Sequence, residues 1–404
     1  MDKYNKKKIL CLVLHNKNDL KISRRTLSFI EYFKSITSKN DKFYLIDLTN
    51  FFLGSIEKKK IKIEDKKIIY FKPKNFSELN TFVKNKNIFA IGPVFCNLNT
   101  LLIFIIMKYF KFKLVIISFF GYFLNENNEN FKLKEKVFIF RRKFNYYFSR
   151  ILMALNIIPK IDLYFESSQE RIDELQFSKS NKLDNYLGLK IFSTYKKIIR
   201  INSKYYDEEI LGKKKNNLES NKYLVLIDSG LLHPDGLEKD ADRYKYDDKF
   251  VYDHYEKVFI FLKSLSKLTS KKIIFCKHPK TLYPKKIFNK YKNSIKFLRA
   301  DTAIWKADYV IFTGGTSMFN KAILLKKKII FLKSIQTPKY DLRLINSINK
   351  LFPINIINID NKKYELEKMK VNFNLNNYKK FINKNLIYNL NLNSVDLIRK
   401  EIFK

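Results

Sequence analysis

Cysteine is nearly absent from this chain, with three residues in 404. Cys11, Cys96 and Cys276 lie in apolar or loop contexts without CxxC spacing, which excludes a disulfide framework and a zinc site of the usual ligand spacing. That usage fits a reducing compartment. Glycine and proline are scarce as well, at 9 and 8, so collagen-like and Pro/Gly-rich low-complexity architectures are excluded. Long uncharged apolar runs are lacking. The longest apolar stretch, Leu101–Tyr122, is broken by Lys108, Lys111 and Lys113, each costly at the centre of a spanning helix. It reads as a buried helix over Leu101–Tyr109 followed by a strand over Lys113–Phe119. The run Ile9–His15 behind the basic Met1–Lys8 is too short for a signal peptide. The expectation is a cytoplasmic protein.

Acidic residues are outnumbered, 39 Asp+Glu against 80 Lys+Arg, for a formal net charge of +41. The excess is lysine, comes with abundant Ile, Asn, Phe and Tyr, and is spread through every segment. That mixture follows from an AT-rich coding sequence, and the scatter argues against a nucleic-acid-binding stripe. Attraction to anionic lipid is as well supported by charge as nucleic acid is, so a peripheral contact with the inner face of the cytoplasmic membrane stays open.

What is present is a globular core for two domains: 46% hydrophobic and 16% aromatic residues. Strand and helix patterns alternate twice. The first series has strands at Lys8–His15, Lys42–Leu48, Asn87–Ile91, Lys113–Phe119 and Ile161–Phe165, with helices at Ser23–Ser35, Thr100–Tyr109 and Arg141–Leu155. The polar stretch Lys196–Lys222 interrupts it. The second has strands at Tyr223–Ile227, Lys272–Cys276, Asp308–Phe312 and Lys328–Leu332, with helices at Phe250–Ser266 and Ser317–Leu325. Such alternation predicts α/β domains with parallel sheets covered on both faces. The expected division is 1–200, a linker at 201–222, a second domain at 223–340, and a helical tail at 341–404 that packs back on the first domain.

Open parallel sheets bind ligands at the carboxyl ends of their strands, and three loops of the second series carry suitable groups. The first reads Asp228-Ser229-Gly230-Leu231-Leu232-His233-Pro234-Asp235-Gly236. Its glycines allow tight turns or close backbone approach, and Asp228 or Asp235 could serve as a base or bind a sugar hydroxyl. The same residues also make an ordinary turn. The second reads Lys277-His278-Pro279-Lys280-Thr281. Pro279 stops the strand, and the ammonium of Lys277 and imidazole of His278 suit a nucleotide phosphate. Only four histidines exist in the chain. The third reads Thr313-Gly314-Gly315-Thr316-Ser317. It offers backbone N–H groups, two hydroxyls and the positive end of a helix dipole, which together describe a phosphate cradle and equally a helix cap.

Strand–Lys-His-Pro–strand–Gly-Thr-Ser–helix–strand resembles the C-terminal domain of bacterial surface-polysaccharide glycosyltransferases, including HP-motif sialyltransferases and capsule Kdo- and polyol-phosphate transferases. The resemblance spans about Tyr223 to Leu332 and implies a GT-B-like pair of Rossmann-like domains. It also implies that His278 and the Thr316-Ser317 pair bind the donor's nucleotide phosphate, and that an acidic residue acts near the acceptor. The donor would be a substrate, a nucleotide-activated sugar with CMP-sugars favoured, and no separate cofactor is implied. The acceptor would be a surface polysaccharide or lipooligosaccharide. Ser229 stands where the sialyltransferase motif has its second acid, and Asn320-Lys321-Ala322 stands where many such enzymes carry a ribose-binding Glu. Two other readings remain: a nucleotide-sugar 2-epimerase, which shares the two-domain fold, and a non-catalytic glycan-binding relative.

Other candidates carry less. His15 ends the first strand, and Glu166-Ser167-Ser168 follows a late strand of the first series as a cleft loop or a helix cap. Asp240-Ala241-Asp242 has DxD spacing but sits in a polar loop, so no metal site is expected. P-loop, GxGxxG, HExxH and GxSxG patterns are absent.

Overall fold

The computed structural model describes residues 7–14, 30, 32–37, 41–51, 65–92, 100–118, 144–145, 147–177, 195–208, 222–230, 248–278, 281, 283, 285–351, 354–361 and 374–404. Contacts divide the chain into two compact units. One comprises Met1–Phe119, Phe140–Lys204 and Ile387–Lys404, the other Phe120–Ile139 and Tyr205–Leu386.

The first unit holds strands β1 (Lys7–Leu14), β2 (Phe43–Asp47), β3 (Ile68–Phe71), β4 (Lys86–Ile91), β5 (Lys113–Ser118), β6 (Ile161–Glu166) and β7 (Tyr195–Arg200). They form one sheet in the order β3-β2-β1-β4-β5-β6-β7, and every pairing is parallel. Its helices include α1 (Phe76–Val83), α2 (Leu101–Tyr109) and α3 (Gln169–Phe177). Central strands such as β1 and β4 are apolar runs buried on both faces, as a covered parallel sheet requires. α1 and α2 pack Leu79, Ile103, Phe104, Ile106 and Met107 onto Ile9, Cys11, Ile88, Ala90 and Leu114 of the sheet. Burial pushes the Cys11 thiol pKa up, so it stays a neutral core residue.

The second unit holds β8 (Tyr223–Ile227), β9 (Lys272–Cys276), β10 (Ile295–Phe297), β11 (Ala307–Phe312), β12 (Lys328–Lys333) and β13 (Asn355–Asn358). Its sheet runs β10-β9-β8-β11-β12-β13, again with parallel pairs throughout. Its helices include α4 (Asp248–Thr269), α5 (Lys285–Tyr291), α6 (Ala300–Lys306), α7 (Met318–Leu324), α8 (Lys339–Leu351) and α9 (Leu375–Asn385). α10 (Ser394–Phe403) belongs to the first unit. α4 buries Val251, Tyr255, Val258, Phe259, Leu262 and Leu265, the spacing of one helical face, against the sheet. Phe259 meets the Tyr291 ring at 4.7 Å and Phe275 meets Phe288 at 5.2 Å, an aromatic core between α4, β9 and α5.

These are two Rossmann-like parallel-sheet α/β units with a helical C-terminal end. Each sheet reverses its winding once, between β1 and β4 and between β8 and β11. The helix expected over Leu101–Tyr109 forms, but Leu102, Ile105 and Tyr109 on its outer side are exposed. The stretch predicted as an all-helical tail from 341 contains β13, which pairs with β12. β7 opens the polar stretch Lys196–Lys222, where the pattern shows no strand, and pairs with β6 alone.

Candidate functional site

The winding of the second sheet reverses between β8 and β11, and ligands of open α/β sheets bind outside the carboxyl ends of strands at such a point. β9 flanks β8 on the other side, with Ile227 in register with both Cys276 and Phe312. The three loops singled out from the sequence therefore leave adjacent strands at one sheet edge.

Asp228 continues β8, its N–H donating to the Cys276 carbonyl at 3.2 Å. Its buried carboxylate accepts from Thr313 Oγ1 on Oδ1 at 2.7 Å, and from Tyr255 and Tyr283 hydroxyls on Oδ2 at 2.9 and 2.6 Å. One charge thus ties α4, the loop after β9 and the end of β11 together. Such a group is tolerated in a core only when it is paired in this way. The Tyr283 hydroxyl in turn accepts from the His278 backbone N–H at 2.7 Å. Burial, then the Asp228 charge, pushes the Tyr283 pKa up, so the phenol stays a neutral donor. Asp228, expected as an acid–base group, has its carboxylate committed to three donors.

Gly230 has φ +79°, and a Cβ there would land on the Thr281 hydroxyl and 3.2 Å from the His278 Cβ. Only glycine fits that conformation and that approach. His278 is half-buried, with Nδ1 3.5 Å from Thr281 Oγ1. Its neighbour Lys277 is exposed, and its Nζ lies 4.5 Å from the Phe288 and Phe297 ring centroids and 5.5 Å from that of Tyr283. The ammonium is held over aromatic faces.

In the third loop, Thr313 Oγ1 accepts from the Ser229 N–H at 2.9 Å while donating to Asp228. A Cβ on Gly314 would lie 2.5 Å from Ser229 Oγ and 2.7 Å from the Asp341 carboxyl, and one on Gly315 would run into Leu344. The Gly315 N–H points to Asp341 Oδ1 at 3.4 Å. Thr316 Oγ1 accepts from the Met318 N–H at 3.3 Å, while Ser317, the N-cap residue of α7, makes no side-chain cap bond. Ser317 Oγ accepts from the Tyr205 hydroxyl at 3.1 Å.

The structure therefore brings Asp228, Gly230 and His278 together, and Ser229 of that first loop against Gly314 of the third. Asp341, Tyr205 and Tyr283 were missed from sequence. Asp341 is a buried acid in the first turn of α8, and only its tertiary contact with the two glycines marks it. Asp235, Pro279, His15, His233 and Asp240-Ala241-Asp242 lie outside the described residues. Among the described residues no group of three potential ligands that could hold a metal is found.

In the first unit, Glu166 is buried at the end of β6, where burial raises its pKa and Oε1 accepts from the Ser168 N–H at 3.0 Å. Ser168 Oγ accepts from the Arg171 N–H at 3.2 Å, so of the two readings of this segment the helix cap is formed.

No protein-family model and no curated protein sequence matches the chain. Solved structures do match along its length. A UDP-GlcNAc 2-epimerase from Methanocaldococcus jannaschii has a TM-score of 0.44 at 12% identity, covering 98% of this chain and 99% of that one. The glycotransferase of kitacinnamycin has a TM-score of 0.45 at 6% identity, covering 98% and 97%. MurG from Acinetobacter baumannii has a TM-score of 0.36 at 9% identity, covering 98% and 99%. At these identities and scores the likeness is a loose one of chain course.

Proposed function

We propose that the chain is a glycosyltransferase that moves a sugar from a nucleotide-activated donor, a CMP-sugar by preference, to a surface polysaccharide or lipooligosaccharide. The observation that carries this reading is the convergence of the β8, β9 and β11 loops at the reversal of the second sheet. There Gly230 meets His278, and Ser229 meets Gly314. Glycines at both contacts allow the loops to approach one another closely. The preference for CMP rests on the order of the Asp-Ser-Gly, His-Pro and Thr-Ser segments.

In this reading the donor phosphate lies between the His278 imidazole and the Gly314–Ser317 segment. Charge-assisted bonds from His278 and Ser317 stabilise the nucleotide as the bond between its phosphate oxygen and the anomeric carbon breaks. The acceptor oxygen bonds to that carbon and gives its proton to a carboxylate, a role left to Asp235. Asp228 acts as a positioning residue, setting the His278 backbone through Tyr283. Asp341, beside the cradle glycines, acts as a positioning residue that accepts from the Gly315 N–H.

A thermal-shift series with CMP, UDP, GDP and CDP tests the proposal, because a ligand that binds only the native state raises the melting temperature. Stabilisation by one nucleotide, CMP in first place, is expected. If none stabilises, the donor-site reading fails and the non-catalytic alternative takes its place.

A further inference from the structure

The first unit leaves apolar side chains in water on the outside of helices that cover one face of its sheet. α2 is apolar on both its inner and outer sides, with Lys108 in its last turn. Ile103, Phe104, Ile106 and Met107 are buried beneath it, while Leu102, Ile105 and Tyr109 on the other side are 41%, 39% and 75% exposed. A helix of that kind belongs inside a core or against a non-aqueous phase. The helical stretch 147–154 repeats the arrangement: Leu152 and Met153 are buried, and Ile151, Leu155 and then Ile157 are exposed.

The crossovers from β4 through α2 to β5, and from β5 through 147–154 to β6, advance the same way across the sheet. Right-handed connections therefore put both helices on the same face. Lys108 Nζ donates to Asn156 Oδ1, which ties the end of α2 to the turn that follows the second helix. The two exposed stripes are neighbours.

Their charge has one sign. Residues 101–111 and 144–157 contain no Asp or Glu, and their charged residues are Lys108, Lys111 and Arg150. A second copy of the chain seated here would bring basic groups against basic groups, on a molecule whose formal charge is already +41. An anionic surface complements them. Among the described residues no helix is long and apolar enough to cross a membrane, so contact would stop at the interface, as it does for helices that lie in the headgroup layer.

We infer that this surface docks on an anionic lipid bilayer. The Leu102, Ile105, Tyr109, Ile151, Leu155 and Ile157 side chains enter the interfacial layer, and the basic groups lie among lipid phosphates. None of the donor-site residues takes part, so failure here leaves the nucleotide result untouched, and the reverse.

The full chain, floated with phosphatidylcholine vesicles with or without phosphatidylglycerol at moderate salt, provides the test. Binding to the anionic vesicles only is expected. The double variant Leu102→Glu/Ile105→Glu should lower the partition coefficient by about tenfold or more, the scale of losing two buried apolar side chains. Leu155→Glu, on the second stripe, should weaken it in the same direction. The variants should stay folded, with Leu155→Glu melting closest to the parent because Leu155 is the most exposed of the three at 64%. Three outcomes would overturn the inference: no binding to anionic vesicles, binding that all the variants retain in full, or a dimer in sedimentation velocity that the double variant abolishes while vesicles bind nothing.

Discussion

The Tyr283 hydroxyl donates to Asp228 Oδ2 at 2.6 Å and accepts from the His278 backbone N–H at 2.7 Å, linking the ends of β8 and β9 through one phenol. Asp228→Ala strands the buried Tyr255 and Thr313 hydroxyls and the partly buried Tyr283 hydroxyl, so a loss of about 3–5 kcal/mol in urea unfolding is expected. Tyr283→Phe should cost about 1–3 kcal/mol and also weaken nucleotide binding, because His278 loses its backbone anchor. Parent-like unfolding of both variants would remove Asp228 from its bridging role.

Gly230→Ala places a methyl on the Thr281 hydroxyl at a φ of +79°. Backbone strain and overpacking together should cost about 2–4 kcal/mol. Because the same methyl presses on His278, nucleotide affinity should fall even where the variant is still folded. Urea midpoints and titration of the folded variant measure the two effects separately.

His254 is buried on α4 with Nδ1 3.3 Å from Ser334 Oγ, and desolvation holds its pKa down at about 4, from 6.5 for free imidazole. Asp228 and Asp360 oppose that shift and Lys257 adds to it. The unfolded chain therefore binds a proton that the folded one refuses between pH 6.5 and about 4. The contribution is complete above pH 6.5 and is lost as pH falls toward 4, on the order of 3 kcal/mol in all. In His254→Gln this part of the pH dependence should vanish. Urea midpoints at several pH values decide it, and an unchanged slope in the variant would count against a neutral buried imidazole.

Among the described residues nine strands were legible in the sequence, and the four that were not are the edges of the two sheets. β1, β2, β4, β5, β6, β8, β9, β11 and β12 have neighbours on both sides, and their apolar runs announce them. β3, β7, β10 and β13 pair on one side only. β7 reads Tyr-Lys-Lys-Ile-Ile-Arg and β13 reads Asn-Ile-Ile-Asn. Polar residues at an edge cost little and discourage pairing with other chains, so in β7 and β13 the burial signal that betrays a central strand is missing, while β3, Ile68-Ile69-Tyr70-Phe71, is apolar but only four residues long. The site divides in the same way. Gly230, His278 and the Gly314–Ser317 segment stand out because each follows an apolar strand. Tyr205, Tyr283 and Asp341 reach the site from elsewhere in the chain, and no local pattern distinguishes them from other polar residues in helices and loops.

In the proposed reaction His278 and Ser317 act on one nucleotide phosphate. Isothermal titration of the nucleotide that stabilises the parent chain, against the parent, His278→Ala, Ser317→Ala and the double variant, tests it most directly. A charge-assisted bond is worth roughly 1.5–3 kcal/mol, so His278→Ala should raise Kd by about tenfold or more. Ser317→Ala should raise it less, because backbone donors remain, and the double variant should depart from the sum of the two, as groups sharing one partner do. Parent-like Kd values in both single variants, with folding intact, would mean that the two side chains do not share a phosphate.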